Sequence, residues 1–194
     1  MIRIATPQDA TSIQRIYAPF VAEGAVSFET EVPTPEEIEA RIKSTLYAHP
    51  WLVREEDGKI VAYAYASAHR TRAAYQWCAE VSVYVDPSFH KRGIARRLYQ
   101  SLIDLLSLQG FVNLYAGITL PNEASVGFHE AMGFRKVGVY EKIGFKAGGW
   151  HDVGWWTKAL SAPVDHPSAP LLFKHLTPDL IEEVLKETEK TNSV

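Results

Sequence analysis

Apolar positions along this chain follow two rhythms. Ile13, Ile16, Tyr17 and Phe20 recur at helical spacing after Thr6-Pro7-Gln8-Asp9, a cap, a first-turn proline and an acid, so a helix is predicted to about Ala22. Thr34-Pro35-Glu36-Glu37 repeats that start signal, and Ile38, Ile42 and Leu46 carry the same period. A polar loop with Ser27-Phe28-Glu29-Thr30 lies between the two helices. The second rhythm is strand-like. It begins with a short run at Ile2 to Ala5. Trp51 to Glu55 and Ile60 to Ala68 flank Asp57-Gly58, a strong hairpin signal. In Trp77 to Val85, Val81, Val83 and Val85 alternate with Glu80, Ser82 and Tyr84, the pattern of a half-buried strand with an acid on its polar face.

Pro87 stops that strand, and an amphipathic helix is predicted over Ile94 to Leu108, closing near Gly110. An apolar strand, Val112 to Ile118, and a helix opened by Asn122 and closed by Gly133 follow. Two further strands, about Phe134 to Phe145 and Val153 to Ala159, surround Gly148-Gly149. Strands on both sides of a central helix predict an α/β mixed sheet with helices on its faces, not an alternating parallel fold. From Ser161 to Pro170 the composition turns to proline, serine and alanine, and Thr177-Pro178-Asp179 starts a charged helix to about Lys190. The expected organisation is one domain over residues 1–160 and a C-terminal extension over 161–194 ending in that helix.

Composition narrows the function classes. The chain is 46% hydrophobic and 22% charged, ordinary for a globular domain, and its net charge of −3 offers no global attraction to nucleic acid or an anionic membrane. Cys78 is the single cysteine, which excludes an intrachain disulfide and a multi-cysteine zinc site. Met1-Ile2-Arg3-Ile4 does not open a leader-like apolar stretch, and no uncharged run reaches the length of a membrane span. The expectation is a cytoplasmic protein with no metal, nucleic-acid or membrane partner.

One loop carries chemistry. His90-Lys91-Arg92-Gly93-Ile94-Ala95-Arg96-Arg97 gathers cations at a helix start, where the macrodipole is already positive, so an anion is expected to compensate. Gly93 and Ala95 let the first-turn N–H groups approach an oxyanion closely. Following Val85-Asp86-Pro87, this loop resembles the coenzyme A diphosphate loop of the GNAT superfamily of N-acetyltransferases, with His90 replacing the usual Arg or Gln. A second segment, Asn122 through Gly133-Phe134, is similar to that family's Asn-x-x-Ala/Ser helix and follows in the right order.

The resemblance implies the GNAT fold: a mostly antiparallel mixed sheet, splayed at the acetyl-CoA site, with helices on both faces. It also implies coenzyme contacts from Val83, Tyr84, Val85, Lys91, Arg92, Gly93, Ile94, Ala95, Arg96, Asn122 and Ser125. Val26-Ser27-Phe28-Glu29-Thr30-Glu31, Arg72 through Trp77, and Gly148-Gly149-Trp150-His151-Asp152-Val153-Gly154 are similar to the phosphinothricin and methionine sulfoximine acetyltransferase branch. That branch implies acetylation of the α-amino group of a small amino-acid-like substrate, and a homodimer. By the same resemblance Glu80 is the base, Val83 N–H the oxyanion donor, and Phe28, Tyr75, Tyr84 and Val153 the pocket walls; Arg72, with its bidentate guanidinium, is the first candidate to grip an anionic group, with Arg70 and His69 assisting. His129, where many members carry Tyr, is a proton donor, a substrate contact or a hydrogen-bonded core histidine. Other acceptors, a different small amine or a protein N-terminus, and a non-catalytic coenzyme-binding module are the competing readings. Thr119 stands where herbicide-detoxifying members carry a small residue, which narrows the pocket.

Overall fold

The computed structural model describes residues 1–191. Its helices start where the caps predict. Thr6 and Asp9 form a capping box over a 3-10 turn that leads into α1 (Ala10–Ala22), and Thr34 and Glu37 form another at the start of α2 (Pro35–Ala48). Gly110, left-handed at φ 90°, closes α3 (Ile94–Gln109), and the Asn122 side chain accepts from Ser125 N–H at the start of α4 (Glu123–Ala131). The C-terminal helix α5 runs over Pro178–Thr191.

The strands are β1 (Ile2–Ile4), β2 (Trp51–Glu56), β3 (Lys59–Ala68), β4 (Cys78–Val85), β5 (Asn113–Leu120), β6 (Arg135–Lys146) and β7 (Gly149–Ala159). They form one sheet in the order β1-β2-β3-β4-β5-β7-β6. Among the described residues only β4 and β5 pair in parallel, so the expected mixed, mostly antiparallel sheet is what forms. β7 begins four residues earlier than alternation suggested. Ala147 and Gly148, both at positive φ, make a two-residue turn that pairs Lys146 with Gly149, drawing Gly149 through Asp152 into the ladder.

Alternation splits the core across the sheet. Val81, Val85 and Ala64 face α3, with Leu98, Tyr99, Leu102 and Leu106, while Val53 and Tyr63 face α1 and α2, with Ile13, Ile16, Ile38 and Ile42. The extension joins the first layer. Phe173 and Leu176 are buried, Ile181, Val184 and Leu185 pack on the same cluster, and Gln109 donates to the Leu171 and Ala48 carbonyls at 2.6 and 2.8 Å. Trp77 Nε1–H also reaches the Ser168 carbonyl at 2.8 Å, so the tail is strapped across the end of β4.

Candidate active site

The site begins where the parallel pair fails. β4 and β5 are in register only from Cys78–Asn113 to Glu80–Tyr115, while β5 stays paired with β7 along its whole length to Leu120–Asp152. Above Glu80 the two strands part into a cleft lined by Val81, Val83, Ala116, Ile118, Asn122 and His129, among others. The backbone of β4 is exposed on that side in a definite pattern. Asp86 N–H donates to the Val61 carbonyl at 2.8 Å, so even-numbered residues bond to β3 and the odd-numbered ones, Val81, Val83 and Val85, turn their peptide groups toward the cleft. His90 Nε2–H takes the Val85 carbonyl at 3.1 Å, and Val83 is left as the N–H donor in the middle. His90, the departure from the family pattern, thus folds back onto the strand.

At the top of the cleft α3 opens without a side-chain cap among the described residues, so its first-turn N–H groups are unspent. Lys91 and Gly93 both hold positive φ, 60° and 71°, the alternation that turns successive N–H groups into one concavity. Ile94 is buried in the core and fixes the helix end. Arg97 Nε is buried without a hydrogen-bond partner among the described residues, and Arg92 lies over the Phe89 ring at 4.9 Å. Unspent donors and unpaired positive charge fit a diphosphate, as the resemblance implies for coenzyme A. The predicted coenzyme residues Val83, Tyr84, Asn122 and Ser125 line the cleft below, with Lys91 to Arg96 above it.

Glu80 stands at the fork, on the face of β4 that carries Ser82 and Tyr84. Its Oε1 accepts from His69 Nδ1–H at 2.9 Å and from Arg70 at 3.3 Å, while Oε2 makes no hydrogen bond among the described residues. The His69 ring is stacked on Tyr115 at 4.4 Å and meets Trp155 edge-on at 5.6 Å, and the Arg70 guanidinium lies 5.7 Å over the Trp155 ring. The carboxylate is therefore oriented from one side and open on the other.

Trp155 links this group to an open cavity of about 410 Å³ walled by Phe28, Tyr84, Thr119, Ile143 and Val153. Its ring rests over Gly117, where a Cβ would come within 3.3 Å of it. Sequence reasoning missed Trp155. The signal was the pair Trp155-Trp156 on one strand: alternation must send one ring to each face, and Trp156 is the buried one, donating to Glu130 at 3.2 Å. A bulge in β6 between Tyr140 and Gly144 brings Ile143 to the cavity, and Asp152 accepts the freed Lys142 N–H at 2.7 Å. His151 Nε2–H donates to the Lys146 carbonyl at 2.9 Å. The His151-Asp152 pair is thus occupied by hairpin architecture.

Two groups of the predicted site residues sit in surroundings of their own. Arg72 and Tyr75 do not join Phe28 and Val153. They line a neighbouring cavity of about 260 Å³ together with Arg70, His49, Phe111 and Leu171, because Arg72 stands at the start of a 3-10 turn, Ala73–Tyr75, that faces the C-terminal strap. The guanidinium beside Glu80 is Arg70. His129 is hydrogen-bonded through both ring nitrogens. Its Nδ1–H donates to the Ser125 carbonyl at 2.8 Å, so in the neutral ring Nε2 accepts from the Tyr99 hydroxyl at 3.0 Å. The ring is 5% exposed among Tyr99, Phe128 and Phe134, and burial pushes its pKa below the ordinary histidine value. His129 is thus a hydrogen-bonded, largely buried histidine whose ring also borders the β4/β5 cleft.

A strand with bare peptide groups, a helix end that wants a diphosphate and an oriented carboxylate at their junction define a two-substrate transferase cleft. The acetyltransferase (GNAT) domain family matches residues 2–155. The chain is 37% identical over 162 residues to the phosphinothricin N-acetyltransferase of Streptomyces viridochromogenes, covering 84% of this chain and 88% of that one. It is 30% identical over 170 residues to the L-methionine sulfoximine/L-methionine sulfone acetyltransferase of Salmonella typhimurium, covering 87% and 97%. Among solved structures, the phosphinothricin acetyltransferase of Sinorhizobium meliloti in complex with acetyl-CoA superposes with a TM-score of 0.81 at 30% identity, over 89% of this chain and 97% of that one. The chain belongs to the GNAT family and is an acetyl-CoA-dependent N-acetyltransferase.

Proposed function

We propose that this enzyme acetylates the α-amino group of a small amino acid of the phosphinothricin, methionine sulfoximine or methionine sulfone type. The observation that carries the reading is Glu80, held through Oε1 by His69 and Arg70 with Oε2 open, at the point where β4 leaves β5. Acetyl-CoA supplies an activated acyl carbon on a thioester. In the cleft Val83 N–H donates to the carbonyl oxygen on which negative charge grows. Oε2 of Glu80 takes a proton from the acceptor ammonium, directly or through one water, and the freed amine bonds to the acyl carbon. The C–S bond then breaks, coenzyme A leaves as its thiolate and is protonated from solvent, and the amide nitrogen gives up its remaining extra proton. An α-amino group titrating near about 8 requires only a modest base. Arg70 faces the acceptor carboxylate with a planar fork, and Phe28, Val153 and Trp155 enclose its side chain.

The test is thiol release from acetyl-CoA across a panel of amino acids, wild type against Glu80→Gln. Turnover of none of these acceptors by the wild type would overturn the substrate reading, and equal rates in the two proteins would remove Glu80 from the base role.

We read the assembly as a homodimer. β6 is an edge strand, and Val137, Phe145 and Trp150 on its hairpin are 56%, 60% and 63% exposed, an apolar surface that a second copy would cover. Sedimentation should give twice the chain mass, and a monomer at micromolar concentration would refute this. No helix among the described residues is long and apolar enough to cross a membrane, and we place the reaction in the cytoplasm, where its thioester substrate is made.

A further inference from the structure

The acceptor cavity has two walls that are far apart in sequence. One is the segment 23–34 between α1 and α2, which has no regular structure and carries Val26 and Phe28. The other is the β6–β7 hairpin with Ile143 and Val153. Most ties of the loop run back to its own helices: the Tyr17 hydroxyl meets Ser27 Oγ at 2.6 Å and donates to Glu29 at 2.9 Å, and Arg41 grips Glu29 at 2.6 and 2.9 Å. These hold the loop to α1 and α2 and say nothing about its distance from the hairpin.

Lys146, the last residue of β6, makes the connection across. Its ammonium donates to the Val21 carbonyl at 2.7 Å and to the Ser27 carbonyl at 2.7 Å. Val21 lies in the last turn of α1, where carbonyls lack helical partners and the dipole is negative, so a cation is well placed there. The second bond falls one residue before Phe28. Beside it the Phe28 ring is seated on Gly144, where a Cβ would come within 2.2 Å of a ring carbon. Among the described residues one further hydrogen bond reaches this loop from across the cavity, from Thr119 Oγ1–H on β5 to the Val26 carbonyl, and it is at 3.5 Å, the limit of a hydrogen bond.

We propose that Lys146 is a positioning residue: it latches the α1–α2 loop to the β6–β7 hairpin and so fixes the spacing of the two walls between which the acceptor side chain binds. The latch rests on the reading of this cavity as the acceptor site. It acts mainly on acceptor binding because an unlatched loop must be ordered at each encounter, which subtracts from affinity: the acceptor cavity takes Val26, Ser27 and Phe28 from this loop, while the coenzyme cleft between β4 and β5 meets it only at Val26.

Lys146→Met removes both bonds and keeps the aliphatic stem, and Lys146→Arg restores a cation that reaches the same carbonyls. Expected for Lys146→Met are an acceptor KM raised about tenfold and a much smaller change in the KM for acetyl-CoA, with acceptor KM recovered in Lys146→Arg. Gly144→Ala, which unseats Phe28 by a separate route, should raise the acceptor KM in the same way. An unchanged acceptor KM in Lys146→Met, or equal rises in both KM values, would overturn the proposal. Should Lys146→Met not fold, hydrogen exchange decides. Faster exchange of the amides of residues 24–30 in Lys146→Gln than in the wild type, both without acceptor, supports the latch, and equal exchange in the two refutes it. Wild-type thiol release with any amine is the separate control: its absence would sink the acceptor reading while the exchange result still judges the latch.

Discussion

The two sides of the cleft are built from different materials. The coenzyme side is backbone: the outward peptide groups of Val81, Val83 and Val85, and the uncapped first turn of α3 behind Gly93. The acceptor side is side chains drawn from β4, β5, β6, β7 and the α1–α2 loop, with Arg70 stacked over Trp155 and Lys146 tying the loop to β6. A backbone site tolerates side-chain change and is disturbed by a change of φ. A side-chain site is disturbed by the loss of single atoms.

That contrast is sharpest at Glu80. Glu80→Gln keeps the shape and removes the base, and kcat should fall about a hundredfold to a thousandfold, with acetyl-CoA affinity intact by thermal shift or titration. A fall in coenzyme affinity of similar size would mean that the two sides are not separable. On the other side, Gly93→Ala should act through the backbone alone. Its Cβ would meet nothing nearer than Arg97 at 3.9 Å, so the penalty is the left-handed φ of 71°, costing about 1–2 kcal/mol. We expect a severalfold rise in the acetyl-CoA KM and an unchanged acceptor KM, read from initial rates.

The smallest effect concerns His129, which borders the coenzyme cleft. Burial pushes His129 and His49 below the ordinary histidine value of 6.5. The unfolded chain then takes up protons near that pH while the folded protein does not, so their contribution is fully present above it and is lost as pH falls below it. Urea midpoints should drop between about pH 7.5 and 5.5, and His129→Gln should flatten part of that slope, leaving the share from His49. An unaltered slope would mean that His129 is not held neutral by its burial among Tyr99, Phe128 and Phe134.

The same division explains what could be read before folding. The coenzyme side was legible because it lies in contiguous stretches. Val81 to Val85 show their alternation directly, the loop from His90 to Arg97 shows a helix start crowded with cations, and Asn122 shows a cap. The acceptor side was legible only as separate fragments. Glu80, Phe28 and Val153 were found, but Arg72 was preferred to Arg70, because both are guanidinium groups on one loop and only the 3-10 turn at Ala73–Tyr75 decides which faces Glu80.

By itself the sequence determined the elements, their caps, the splayed strand's identity and the place where a diphosphate is wanted, because periodicity, capping and local charge are properties of neighbours in the chain. Tertiary structure alone decided that His129 is spent on Ser125 and Tyr99, that Trp155 bridges the base to the acceptor cavity, that the C-terminal strap packs on α3, and that Lys146 spans 125 residues to reach Val21. Those contacts depend on which face a strand turns to its neighbours and how far two distant segments lie apart. Packing of the sheet and its two helical layers sets both.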